Sequence, residues 1–217
     1  MASAPAATKP GPGRPPTGAR ERILDACLDV LKSDGYAGLS LAKVAAASGQ
    51  NKALITYHFG SKSGLVKAAA RELGDSISRQ ILQGLEGAST VEDIVRGALT
   101  GVWEIVAGDE RLPRVYFDLS AVSVVDEEIR AVMREVKDGF RAVLRELLGA
   151  AGDPLPAPRI PAFSVMLIAG IEGLLLERIE RGESTELSDA RELFVRSMIE
   201  AAGPIDQRSS PRSTALI

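Results

Sequence analysis

Between positions 40 and 62 this 217-residue chain gathers hydroxyls, cations and one imidazole at helical spacing: Ser40, Lys43, Lys52, Thr56, Tyr57, His58 and Lys62. Such groups bond and neutralise phosphate oxygens, because each offers a donor or a positive charge. They are poorly suited to catalysis or metal binding. His58 is the only histidine and Cys27 the only cysteine of the chain, so a nucleophile–base pair built on histidine and a thiolate zinc cluster both lack members. One cysteine also rules out an internal disulfide. No cofactor motif stands out, and none is expected.

The elements that must position these groups can be read around them. Ser40 precedes an apolar-periodic stretch and is placed to cap it, with Leu41, Val44 and Ala45 at helical spacing. Ser48-Gly49 ends that helix, since glycine accepts the left-handed backbone of a C-terminal turn. Asn51 caps a second short helix that starts at Lys52, with Leu54 and Ile55 to lock it onto the first. Gly60-Ser61 breaks the chain again, and Ser61 caps a third helix whose free N–H groups could face a phosphate. Two helices joined by a short glycine-containing turn, the second one cationic, form the arrangement that places a helix in the DNA major groove. If that second helix enters the groove, Gln50, Ala53 and the neighbouring Ala42 could reach base edges. Glutamine can pair with adenine, and alanine can meet a thymine methyl.

The run Ser48-Gly49-Gln50-Asn51-Lys52, followed by Ile55, Tyr57-His58-Phe59 and Ser61-Lys62, resembles the helix-turn-helix signature of the tetracycline-repressor (TetR) family. The likeness extends from about Ala19 to about Ala70, roughly a quarter of the chain. It departs from the common pattern at Thr56, where a tyrosine often contacts phosphate, and at Gln50, where a small aliphatic residue is common. Both departures leave the operator sequence open. Beyond residue 85 the likeness is architectural only.

Charge distribution agrees with a DNA reader. The net charge of the chain is −3, but the first 66 residues hold eight Lys/Arg against four acids, +4, and the remainder 18 against 25, −7. The start, MASAPAATKPGPGRPP, lacks the apolar run of a signal peptide. The apolar stretch near 160–176 reads as too short, and too interrupted by Glu172, to cross a membrane. A cytoplasmic protein with no membrane partner is expected.

The expected organisation is all-α with about nine helices. A disordered arm covers 1–18, within which Arg14 is a minor-groove candidate or a solvated tail residue. A helix-turn-helix domain covers 19–66, a helical effector-binding and dimerisation domain 67–203, and a disordered tail 204–217. The first helix is expected over 19–33, ended by Asp34-Gly35. Helices then follow at about 61–82, 91–107 (capped by Thr90), 110–122, 127–149 (capped by Asp126), 161–181 and 187–202 (capped by Ser188 or starting just before it). The linker 149–161 has too much proline and glycine to be helical.

The resemblance implies a homodimer joined through the last two helices, a double-stranded DNA operator and a small-molecule effector in the C-terminal domain. Trp103, Tyr116, Phe117, Met133, Phe140, Phe163 and Met166 are the candidate pocket residues; ordinary core packing is the plain alternative for each. Glu172, inside VMLIAGIEGLLL, is a carboxylate that burial would force to find a partner: an arginine, a donor across a subunit interface or a polar ligand. Apolar residues in Phe163–Leu176 and Leu193, Phe194, Val195, Met198 and Ile199 are the candidate dimer contacts. The function expected is a repressor released from its operator by an effector. A constitutive DNA-binding or architectural protein and a helical enzyme are the other classes considered.

Overall fold

The computed structural model describes residues 18–203; the calls on the arm 1–18, with Arg14, and on the tail 204–217 therefore lie outside the described residues, Gly18 apart. Among the described residues there are nine α-helices, one 3-10 turn and no strand. They are α1 (Ala19–Gly38), α2 (Leu41–Ser48), α3 (Lys52–Phe59), α4 (Lys62–Gly84), α5 (Val91–Gly108), α6 (Arg111–Val122), α7 (Glu127–Ala150), the turn Ala157–Arg159, α8 (Ile160–Arg181) and α9 (Thr185–Ala202). The chain divides into two compact units, with the boundary between Ala69 and Ala70.

The N-terminal unit packs Ile23, Cys27, Val44, Ile55, Leu65, Val66 and Ala69, all inaccessible to solvent, into one core shared by its four helices. Burial pushes the Cys27 thiol up to about 12, so it stays protonated and unreactive at neutral pH. The first helix breaks where expected, at Gly35. Gly35 adopts φ 68°, ψ −179° and kinks the chain, and a further short stretch then continues to Gly38. Gly64 is required by close approach. A Cβ there would sit 2.0 Å from the Phe59 carbonyl oxygen, a backbone atom that cannot swing aside. Gly64→Ala should therefore displace the start of α4 and cost about 1–3 kcal/mol or more. The expected readout is a clear loss of thermal stability in the N-terminal unit, on the order of 4–8 °C per kcal/mol for a domain of this size. An unchanged melting curve would contradict it.

In the C-terminal unit, α5, α7, α8 and α9 bury Ile94, Val95, Leu148, Phe163, Leu167 and Met198 together. The helix starts follow side-chain caps. Thr90 and Asp93 form a reciprocal capping box on α5, and Asp126 accepts from the Ile129 N–H at 3.0 Å. The cap of α9 is Ser184, which accepts from Leu187 N–H at 3.1 Å, and not Ser188. Leu187 is buried, and α9 starts at Thr185, two residues before the expected 187.

The linker after α7 is tied down. Asp153 Oδ1 accepts from Val91 N–H at 2.8 Å, and Gly152 N–H donates to Ser89 O at 2.7 Å. Arg159 donates to the carbonyls of Ala201 and Gly203, satisfying groups that the end of α9 leaves open. The segment Ala157–Arg181 is, by length and composition, long and apolar enough to cross a membrane, contrary to the sequence estimate. Its apolarity has a use inside the fold. One face, with Ile160, Phe163, Leu167, Ile171 and Leu175, is buried. The other exposes Val165, Met166 and Leu176.

Candidate functional site

Helices α2 and α3 form the helix-turn-helix. Ser40 Oγ accepts from Lys43 N–H at 3.2 Å and starts α2. Gly49, at φ 65°, ends it in the left-handed region. Asn51 Oδ1 accepts from Leu54 N–H at 2.8 Å and caps α3, which three residues, 49–51, separate from α2. Val44 and Ile55 point into the core with no exposure, which fixes the face each helix turns outward.

On α3 that outward face carries Lys52, Ala53, Thr56 and Tyr57, all exposed; the Tyr57 ring is 74 % exposed, far more than a large aromatic residue with only a packing role would be. Ala42 and Lys43 are exposed on α2. Lys43 does not stand free: its Nζ lies 2.5 Å from Asp34 Oδ2, and this hydrogen bond is the main reason the Asp34 carboxyl is held below its ordinary range. A phosphate would have to compete with Asp34 for Lys43. Gln50 is half-buried, with its amide donating to Ser48 O at 3.4 Å. His58 packs between Tyr57 and Phe59, with ring centroids 5.2 and 6.1 Å away. Its Nε2 is buried without a hydrogen-bond partner. That nitrogen therefore faces the protein interior and not the surface on which Lys52 and Tyr57 lie.

Ser61 Oγ accepts from Gly64 N–H at 3.0 Å and caps α4. Lys62, the first residue of α4, holds its ammonium 5.0 Å from the centre of the Tyr36 ring. This cation–π contact orients the charge without neutralising it. The unit thus presents one exposed cationic and hydroxyl-bearing helix, flanked by a second lysine at a helix N-terminus, where the dipole also favours an anion.

The C-terminal unit contains a cavity of about 110 Å³. Its walls come from α4 (Ile77, Ser78, Ile81), α5 (Ala98, Val102, Ile105), α6 (Pro113, Tyr116), α7 (Phe140, Val143, Leu144) and α8 (Leu167, Ile168, Ile171, Glu172, Leu175), with Leu85 after α4. Of the residues singled out in the sequence, Tyr116, Phe140 and Glu172 meet here. Glu172 finds its partners in a tyrosine and a lysine: Tyr116 Oη donates to Oε1 at 2.6 Å, and Lys137 Nζ lies 3.1 and 3.2 Å from Oε1 and Oε2. Burial first, and then the Glu172 carboxylate, push the Tyr116 phenol well above its ordinary range, so it remains a proton donor.

The other candidates lie elsewhere. Phe163 and Met133 are buried core residues outside the cavity wall. Phe117 packs edge-on against Tyr116 at 5.6 Å, and Met166 is exposed on the outer face of α8. Trp103 lines a separate surface groove. Its Nε1 donates to Glu183, and Arg178 and Arg191 lie 5.6 and 4.8 Å from its ring. The aliphatic walls of the cavity went unrecognised in the sequence, where an isoleucine facing a void reads like one facing a core.

With this geometry in place, comparison with known proteins becomes informative. Residues 23–69 match the family model of bacterial regulatory proteins, tetR family. The regulator BetI 1 of Chromohalobacter salexigens is 25% identical over 178 residues, spanning 80% of this chain and 85% of its own. The nicotine-responsive transcriptional repressor HdnoR of Paenarthrobacter nicotinovorans is 25% identical over 132 residues, 61% of this chain and 68% of its own. Among solved structures, a transcriptional regulator from Rhodococcus sp. Rha1 superposes with a TM-score of 0.71 at 20% identity, covering 86% of this chain and 98% of its own. The multidrug binding protein EbrR, complexed with imidazole, gives 0.67 at 24% identity, covering 88% and 98%. The matched segment spans the helix-turn-helix and the start of α4, and the fold of the whole agrees. Residues 23–69 thus carry the helix-turn-helix of the tetR family of bacterial regulatory proteins, and the described residues share the fold of transcriptional regulators that contain it.

Proposed function

We propose that this regulator is a cytoplasmic, homodimeric repressor that leaves its operator when a small molecule fills the C-terminal cavity. The observation that carries this reading is the cavity itself: a partly open, nearly wholly apolar space in a chain that also exposes a cationic helix of a helix-turn-helix. Helix α4 supplies Ser61 and Lys62 at its first turn and Ile77, Ser78 and Ile81 to the cavity wall. A ligand that shifts its far end would change the separation of the two recognition helices. By linkage, ligand and operator then weaken each other by one common factor. That HdnoR is named as nicotine-responsive and EbrR as multidrug binding supports a small-molecule effector for this chain.

Ser40, Lys43, Gln50, Asn51, Lys52, Ala53, Thr56, Tyr57 and Lys62 are the proposed DNA-facing residues, with His58 packed beneath them. Dimerisation is assigned to the outer faces of α8 and α9, where Val165, Met166, Leu176 and Leu193 are exposed. Val195 and Met198, counted with the interface on sequence, belong to the core, since Met198 is only 1 % exposed.

The test measures affinity for a selected operator with and without a ligand seen to occupy the cavity by protein NMR. The proposal expects release at saturating ligand. A filled cavity with unchanged DNA affinity would instead favour a constitutive DNA-binding protein.

A further inference from the structure

The cavity wall contains one carboxylate, Glu172, and that charge is already satisfied. Oε1 accepts from Tyr116 Oη at 2.6 Å, and the Lys137 ammonium stands 3.1 and 3.2 Å from the two carboxylate oxygens. Lys137 is not itself part of the wall, and its ammonium lies 5.8 Å from the Tyr116 ring centre. Apart from Glu172, the wall offers two hydroxyls, Tyr116 and Ser78, among aliphatic and aromatic carbon.

An ion entering such a space loses its water and gains little. An ammonium would have to expel Lys137 to reach the carboxylate, exchanging one ion pair for another. A carboxylate would meet Glu172. Burying either without a new counter-charge is costly. A neutral hydroxyl or carbonyl has no such difficulty. The Tyr116 oxygen keeps acceptor capacity while its proton is given to Glu172, and Ser78 can donate or accept. Size narrows the class further. A cavity of about 110 Å³ is smaller than the ~150 Å³ space that takes up benzene, so one benzene-sized ring fills it and a substituent must reach its open side.

We propose that the cavity selects a small, uncharged, largely hydrocarbon molecule with a single hydroxyl or carbonyl group, and that Lys137 enforces this choice by keeping Glu172 neutralised. This rests on the cavity being the effector site, but it can be tested apart from that reading.

Benzyl alcohol, benzylammonium and benzoate have nearly one shape and three charges. Their affinities for the full-length protein, read by protein NMR titration, should favour benzyl alcohol by at least about tenfold over either ion. Val102→Trp, which fills the space, should abolish that binding. Lys137→Met should raise affinity for benzylammonium by about tenfold and change benzyl alcohol by less than about threefold. Preference for either ion in the wild type, failure of all three to bind, or a Lys137→Met protein with unchanged benzylammonium affinity would each overturn the proposal. Operator affinity, measured in parallel, separates the two readings. Benzyl alcohol bound without DNA release removes the effector role and leaves the ligand class standing. Release by an ion alone does the reverse.

Discussion

Arginine at Leu193 should convert a dimer into monomers and weaken operator binding by about two orders of magnitude or more. Leu193 is 61 % exposed on α9, so the substitution costs the folded monomer little. In the proposed dimer it would bury an unpaired charge, which the interface cannot accommodate. Each recognition helix would then meet its half-site alone and lose the linked second contact, an effect typically worth 10²–10⁴ in affinity, by rough convention. Met166→Arg on α8 should act the same way, because Met166 is 53 % exposed and Gly173 on α8 has open space around its Cβ position. Met198→Arg is the contrast. That side chain is buried among α5, α8 and α9, and its replacement should unfold the unit instead of dissociating it. Sedimentation and circular dichroism separate the two outcomes. A wild-type protein that sediments as a monomer at micromolar concentration would sink the assignment.

Removing Lys52 and Lys62 together should weaken binding equally on matched and mismatched sites and flatten its salt dependence. Lys52 is exposed at the first turn of α3, and Lys62 opens α4 beside its capping serine. Two phosphate contacts per protomer make four per dimer. At a slope of about 0.9 per neutralised phosphate, the double variant should lose about 3.6 units of slope. Between 50 and 200 mM salt it should therefore lose about 100-fold less affinity than the wild type. The single Lys62→Ala variant has a second use, since the Lys62 ammonium also rests on the Tyr36 ring. If that contact were its whole role, stability would fall and the salt slope would stay unchanged.

What could be read from sequence divides along a physical line. Ser40, Asn51, Ser61, Thr90 and Asp126 were legible as caps because a cap is a contact three residues long. The outward face of α3 was legible because Ile55 and Tyr57 differ so plainly in what they can do when buried. The start of α9 was legible only to within a few residues, because Ser184 and Ser188 both suit the cap, and the bond from Leu187 N–H to Ser184 decides between them. Met198 and Leu193 were not distinguished because α8 and α9 carry apolar residues on more than one face, and periodicity then loses contrast. Glu172 stood out as a charge in an apolar run, but its partners Tyr116 and Lys137 lie 56 and 35 residues away. Only the packing of α6, α7 and α8 brings them together. The cavity left no mark at all, since its walls are the same Ile, Leu and Val that fill the core.

The central claim is that α2 and α3 read a specific DNA site as a symmetric pair, and selection from random double-stranded DNA tests it most directly. The expected result is one enriched sequence with inverted-repeat symmetry. Its half-sites should be centred about one helical turn apart, roughly 34–36 Å, as two symmetry-related recognition helices on one face of the duplex require. Tyr57→Ala and Lys52→Ala should bind the selected site more weakly while keeping the fold. Recovery of no preferred sequence, or of an unpaired site bound equally well by those variants, would contradict the account.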